Sequence, residues 1–182
     1  ITHLKNSTLD VAANKVLSYT GSDLEIGAFT LTMSGEGTFN NSAELSLNNA
    51  ASVLKLDGIA RVEHVSVTEN LSDGFIDVDD NAIIKILSHA KSSRIDIAEG
   101  KSLALVDAFE VPADQTMELH GDGGGTFNFN DNLTLSGTLK LNALNNTLSN
   151  GTLIINNGLL QLDENTTISM QISLADNASM NL

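Results

Sequence analysis

The chain has 182 residues, no cysteine and a formal net charge of −14, from 23 acidic and 9 basic residues. This charge excludes nucleic acid and anionic membrane surfaces as partners, because both require a dense face of Lys and Arg. The lack of cysteine excludes disulfide bonds and thiolate metal sites, and no apolar stretch is long enough for direct membrane insertion.

Pairs of apolar residues, spaced apolar-x-apolar, return about every 22 positions along the chain. A spacing of two is typical of a strand with one buried face, and a fixed period of this length is typical of a solenoid. The segments between the pairs are rich in Asn, Asp, Gly, Ser and Thr, which favour turns. The pairs are Leu9/Val11, Leu31/Met33, Leu54/Leu56, Ile76/Val78, Ile95/Ile97, Met117/Leu119, Leu139/Leu141 and Leu160/Leu162, with Leu182 opening a ninth.

A second series of pairs predicts a second strand in each coil: Leu24/Ile26, Leu45/Leu47, Val65/Val67, Ile84/Ile86, Leu103/Leu105 and Phe127/Phe129. A third strand has no clean spacing, and its candidates are Val16, Phe39, Val111 and Leu133/Leu135. We therefore predict an all-β fold, a right-handed parallel β-helix (β-solenoid) with about eight coils of roughly 22 residues and three short strands per coil. The unbroken repeat predicts one β-solenoid segment over residues 1–182, without a domain boundary.

The ends of the sequence lead to an expectation about partners. The repeat is in phase at Leu182, and no capping segment is visible, although natural solenoids protect their terminal coils with such segments. We expect an internal part of a longer chain, or a unit that stacks end to end on copies of itself.

The densest group of carboxylates lies between Ser72 and Asn81. Asp77 and Asp79 are two residues apart and are expected to share the outward face of one strand, with Asp73 and Asp80 nearby. Paired carboxylates of this kind serve as acid and base in sugar cleavage, or as calcium ligands. Asp77, Asp79 and Asp80 are therefore the metal candidates, for calcium, while a solvated turn in an acidic protein is the plainer interpretation. No catalytic residue is assigned.

Basic and imidazole groups follow this cluster in the next coil, at His89, Lys91 and Arg94. All four histidines are predicted to decorate the surface, and His64 and His89 would stack if the offsets between coils allow it. The glycine-rich run from His120 to Thr126 is predicted to be a turn or bulge.

The runs Ser136-Gly-Thr-Leu-Lys-Leu141 and Asn150-Gly-Thr-Leu-Ile-Ile-Asn-Asn-Gly-Leu-Leu-Gln-Leu162 resemble the β-helical stalks of bacterial surface proteins, namely autotransporter passengers and filamentous-haemagglutinin-like adhesins. The resemblance covers nearly the whole chain as a pattern. It implies an exported bacterial protein at the cell surface or outside the cell, and it carries over no catalytic residue.

The leading functional prediction is a structural rod or stalk of a surface adhesin or extracellular filament, without catalysis or a cofactor. Its partners would be further segments of a longer chain, copies of itself, or host or matrix glycans. Two alternatives stay open. One is a carbohydrate-active β-helix enzyme or polysaccharide-binding module that uses the acidic face near Asp77–Asp80. The other is a surface-layer subunit assembled by calcium.

Overall fold

The structure is a computed structural model that describes residues 5–121, 124–142, 146–163 and 165–181. It is an all-β solenoid of about eight turns with roughly 22 residues each. The described residues contain parallel strands and no helix, so no helix among them is long and apolar enough to cross a membrane. The predicted class, a β-solenoid, is confirmed.

One side of the solenoid is a sheet of nine parallel strands that takes one strand from each coil. We call it the first side. Its strands are β1 (Ser7–Asp10), β4 (Thr30–Ser34), β7 (Val53–Asp57), β9 (Phe75–Val78), β11 (Ser93–Ile97), β14 (Thr116–Gly121), β17 (Thr138–Leu141), β19 (Leu159–Leu162) and β21 (Ser179–Asn181).

The other two sides belong to one set of twelve strands. Its members are β2 (Val16–Tyr19), β3 (Leu24–Glu25), β5 (Thr38–Asn41), β6 (Leu45–Leu47), β8 (Arg61–Val67), β10 (Ala82–His89), β12 (Ser102–Leu105), β13 (Phe109–Val111), β15 (Thr126–Phe129), β16 (Leu133–Leu135), β18 (Asn146–Ile155) and β20 (Thr166–Leu174). The long strands β8, β10, β18 and β20 each continue around the corner between the two sides. In β8, for example, Val62 pairs with Phe39 on the second side and Val65 pairs with Leu45 on the third.

The core is a set of stacked aliphatic columns. On the first side, Leu54, Ile76 and Ile95 are paired in succession and are fully buried. Adjacent strands lie about 4.8 Å apart, so each inward side chain packs on its equivalent in the next coil. The alternation of buried and more exposed residues along β4, β7, β9 and β11 follows from the period of two.

The register of the first side differs from the predicted series at three places. Leu9 pairs with Met33 and not with Leu31, and Leu119, not Met117, pairs with Ile95. Leu160 pairs with Met180, so the ninth strand opens at Ser179, and Leu182 lies outside the described residues. The sheet stays continuous through these shifts because both members of an apolar-x-apolar pair point inward, and a slip of two keeps the same face buried.

The predicted second series joins two different sides. Val65 belongs to the third side, whereas Ile84 pairs with Val62 on the second. Ile86 pairs with His64 and is only half-buried, since the inward positions of β10 change at this corner to Leu87 and His89. The third side, which sequence spacing could not phase, combines short separate strands with the second halves of the long corner strands. The short strands are β3, β6, β13 and β16, and the long ones are β8, β10, β18 and β20.

One bulge interrupts the long strand β18. The pairing with β20 shifts between Ser149 and Thr152, where Asn150 and Gly151 have φ of 62° and 56°. A Cβ at Gly151 would lie 2.1 Å from the carbonyl oxygen of Asp131, so glycine is required by both its backbone conformation and the close approach of the coil below.

Candidate functional site

The outward surface of the first side carries alternating acidic and basic side chains. We call this surface the charged face, formed by Lys55, Asp77, Asp79, Arg94, Asp96, Glu118, His120, Lys140 and Asp163. Each residue lies on, or next to the end of, a strand from β7 to β19, and outward residues of neighbouring coils are brought side by side by the parallel pairing.

At the acidic cluster, the structure brings Asp77 and Asp79 to the same cation. The ammonium of Lys55 lies 3.4 Å from Oδ2 of Asp77 and also contacts Oδ2 of Asp79. Burial raises the pKa of Asp77, and the neighbouring Asp79 carboxylate adds to this effect against the opposing charge of Lys55. The hydrogen bond to Asp79 in turn raises the pKa of Lys55. The carboxylates of two of the three predicted calcium ligands, Asp77 and Asp79, are therefore paired with the ammonium of Lys55.

The third candidate, Asp80, uses a different partner. Its Oδ1 accepts a hydrogen bond of 2.9 Å from Nζ of Lys101. This bond, together with the backbone N–H of Asn81, lowers the pKa of Asp80. Among the described residues, no group of three or more His, Asp or Glu side chains is arranged to hold a metal ion.

The next two coils extend the same pattern. Asp96 pairs with Asp77 in register, but its Oδ2 accepts a 2.5 Å hydrogen bond from Arg94, whose guanidinium lies 4.6 Å from the ring centroid of Phe75. Glu118 contacts His120 at 3.1 Å and Lys140 at 3.6 Å. Each carboxylate in this row therefore has a cationic or imidazole neighbour. The contacts of Lys55 and Lys140 join adjacent coils, whereas Arg94 and His120 contact carboxylates of their own strands.

His89 does not belong to this surface. The prediction that it decorates the exterior is wrong, since its side chain points into the core and is 5% exposed. It pairs with Val67, so it does not stack on His64, and its ring packs against Phe109 with centroids 5.8 Å apart. Neither ring nitrogen has a hydrogen-bond partner, and burial lowers the pKa of His89 to about 4.

The remaining predicted residues are spread over other surfaces. Lys91 is exposed on the turn after β10, and Asp73 is exposed on the turn before β9. The glycine-rich run continues β14 as far as Gly121 and resumes at Gly124, while Asp122 and Gly123 lie outside the described residues. Sequence reasoning missed an open groove at the corner between the third and first sides, since its lining comes from turns with no common motif.

No family model, no curated protein and no solved structure matches this chain. The class established by its structure is the β-solenoid. Anything finer depends on the chemistry of its surfaces.

We expect Lys55→Met to lower the free energy of unfolding by about 1 kcal/mol at neutral pH, because it leaves the half-buried Asp77 beside Asp79 without a cation. The loss should shrink in acid, because the raised pKa of Asp77 means that this carboxylate takes up a proton and loses its charge. Urea denaturation of both proteins at two pH values measures this effect. Lys91→Met, on an exposed turn, is the control and should change stability by less than about 0.5 kcal/mol. Equal losses for the two variants would show that the Lys55 contacts contribute nothing.

Proposed function

We propose that this chain is a rod segment that acts as a stalk in an exported bacterial surface adhesin or extracellular filament, without catalysis. The observation that supports the proposal is the unbroken nine-stranded sheet with its inward aliphatic columns. Each coil adds about 4.8 Å to a body of constant cross-section, so the length of the rod increases in proportion to the number of coils. The resemblance to autotransporter-passenger and filamentous-haemagglutinin-like stalks favours the cell surface as the location.

The proposed partners are further coils, from a longer chain or from another copy. Four large apolar side chains, Val16, Leu17, Ile172 and Leu174, are exposed in the first and last described coils. Stacking of another coil on either of these surfaces would bury apolar area and pair the strand edges.

The ion pairs of Asp77, Asp79 and Asp80 weigh against the two alternatives. A calcium-assembled subunit or a carbohydrate-active enzyme at Asp77–Asp80 would need carboxylates that a ligand can reach, and Lys55 and Lys101 contact these three side chains. Both alternatives remain proposals. The first requires assembly that stops in chelator, and the second requires turnover that is lost in an Asp77→Asn/Asp79→Asn variant.

Whole-coil duplication tests the rod. Residues 54–140 form a block of four coils, because Leu54, Ile76, Ile95, Leu119 and Leu141 follow one another in register. A chain with this block duplicated should be longer by about 19 Å in small-angle X-ray scattering, with an unchanged cross-section. A thicker particle of the same length would contradict a rod.

Antibody labelling tests the location. Gold-labelled antibodies raised against this chain should bind intact cells that produce it, at a defined distance from the envelope. Labelling that appears only after the cells are permeabilised would contradict a surface stalk, even if the scattering result holds.

A further inference from the structure

A long groove follows the corner where the turn after the third side enters the first side. Its two stretches have volumes of about 780 and 450 Å³ and share Asp114, Gln115 and Thr116, so they adjoin one another along the solenoid axis. We call it the corner groove. It is lined by turn and strand-start residues of six successive coils: Asn70–Gly74, Ser92–Arg94, Asp114–Thr116, Ser136–Thr138, Asn157–Leu159 and Ser179, with Glu118 at one wall.

Part of the lining is a fixed ladder of polar groups. The backbone N–H of Ser92 donates to Oδ1 of Asn70 at 3.1 Å, and the Ser92 hydroxyl donates to Oε1 of Gln115 at 3.3 Å. The same hydroxyl accepts the backbone N–H of Thr116 at 3.0 Å. Amide and hydroxyl groups are therefore held at successive coils by bonds between the coils, so they need little ordering when a ligand binds.

Glycine allows neighbouring coils to lie close together in another part of the groove. A Cβ at Gly137 would lie 2.1 Å from the carbonyl oxygen of Pro112 and 2.4 Å from that of Gln115. No side chain fits at this position, so the backbone itself lines the groove there, flanked by the hydroxyl residues Ser136 and Thr138.

The charges of the groove disfavour polyanions. Asp73, Asp114 and Glu118 line it, and Arg94 is the one cationic side chain among the lining residues that the structure describes. Arg94 is itself bound to Asp96. An acidic polysaccharide or a nucleic acid would meet net repulsion along the first stretch.

The direction of the groove disfavours a peptide ligand. A peptide usually gains affinity by adding a strand to a sheet edge, but the groove runs across the strands and their backbone groups are already paired with neighbouring coils. A ligand here must be recognised by side-chain amides, hydroxyls and carboxylates, which suit a chain of hydroxyl groups.

We propose that the corner groove binds an uncharged glycan chain, laid parallel to the solenoid axis. A pyranose ring is comparable in length to the coil rise of about 4.8 Å, so successive sugars would meet equivalent turns of successive coils. Five steps of this rise, from the level of Asn70 to that of Ser179, span about 24 Å. The glycan site is separate from the proposed stalk function, and either proposal can fail without the other.

Length dependence is the first test. Cellohexaose is titrated into the isotope-labelled 182-residue protein while backbone amide resonances are followed by NMR. We expect shifts confined to the corner groove, with cellohexaose binding at least about tenfold more tightly than cellobiose because it contacts more coils. Hexagalacturonate, the acidic probe, should bind more weakly than cellohexaose.

A matched pair of variants tests the location of the site. Gln115→Ala should weaken cellohexaose binding by about fivefold to tenfold, since it removes one hydrogen-bonding side chain of the ladder. Gln161→Ala, on the outward surface of β19 beyond the groove, should leave binding unchanged. Retained thermal transitions would show that both variants fold.

Three results would overturn the proposal: no shifts with cellohexaose or maltohexaose at millimolar concentration, tighter binding of hexagalacturonate, or shifts that lie outside the groove. Equal effects of the two glutamine substitutions would also contradict this site.

Discussion

Acidification from pH 7 to pH 4 is expected to destabilise the solenoid by about 3 kcal/mol through His89 alone. The pKa of His89 is lowered from 6.5 to about 4 by burial, and each unit of difference between the folded and unfolded states corresponds to about 1.4 kcal/mol. Well above pH 6.5 the imidazole is neutral in both states. Below that value the unfolded chain binds the proton first, so stability falls with pH until the folded-state pKa is passed.

The measurement is a series of urea denaturation curves between pH 7 and pH 4 for the wild type, His89→Leu and His64→Leu. His89→Leu should remove this part of the pH dependence and should also be more stable at pH 7, because it eliminates ring nitrogens that are buried without hydrogen bonds. His64→Leu, on the outward side of β8, is the control for the loss of a histidine outside the core.

Other titratable groups also change stability with pH, in different directions, and these groups are present in all three proteins. The lowered pKa of Asp80 removes stability as pH falls through that pKa, whereas the raised pKa of Asp77 favours the folded state in acid. The difference between wild type and His89→Leu therefore isolates the imidazole. An unchanged difference at every pH would contradict the assignment.

Leu119→Ala is expected to lower the free energy of unfolding by about 2–5 kcal/mol. Leu119 is fully buried between its registered neighbours Ile95 and Leu141, so truncation leaves a cavity in the middle of a column. The coils above and below are fixed by their own hydrogen bonds and cannot collapse into the gap.

Leu159→Ala provides the matched control for this substitution. Leu159 is on the same sheet, but it faces outward and is only partly buried, so its truncation should cost about 1 kcal/mol or less. Chemical denaturation of both variants measures the difference. Similar losses would mean that the inward columns carry no more of the stability than the outward surface does.

The sequence predicted the architecture because the period of two and the period of about 22 come from the same physical cause. Every coil must bury one face of each strand against its neighbours, so inward residues such as Leu54, Ile76 and Leu139 stay aliphatic. Turn residues follow equally directly wherever a coil changes direction between two separate strands.

Register was less predictable. The spacing between paired residues varies from 19 for Ile76 and Ile95 to 24 for Ile95 and Leu119, and a slip of two preserves the inward face. Strands that continue around a corner, as β8 and β10 do, place no turn residues there to mark the boundary between sides. The second predicted series therefore changed sides between Val67 and Ile84.

The spacing of His89 indicated a buried position, although histidine as a residue type is expected at the surface. It follows Leu87 at the inward spacing, in line with Leu45/Leu47 and Val65/Val67, and this alignment would have placed it in the core. The opposite case is the acidic cluster, where the outward positions of Asp77 and Asp79 followed from spacing but the contacts with Lys55 depended on the offset between coils.

The sequence spacing between paired residues stays within 19 to 24, and this narrow range affects how the molecule would respond to tension. Each coil closes a loop of similar length onto the coil before it, so the entropy of closing each loop is nearly the same along the axis. A pull on the last coil would detach one coil at a time, releasing similar lengths of chain against similar forces. Such a body would lengthen in steps under load instead of unfolding in a single event.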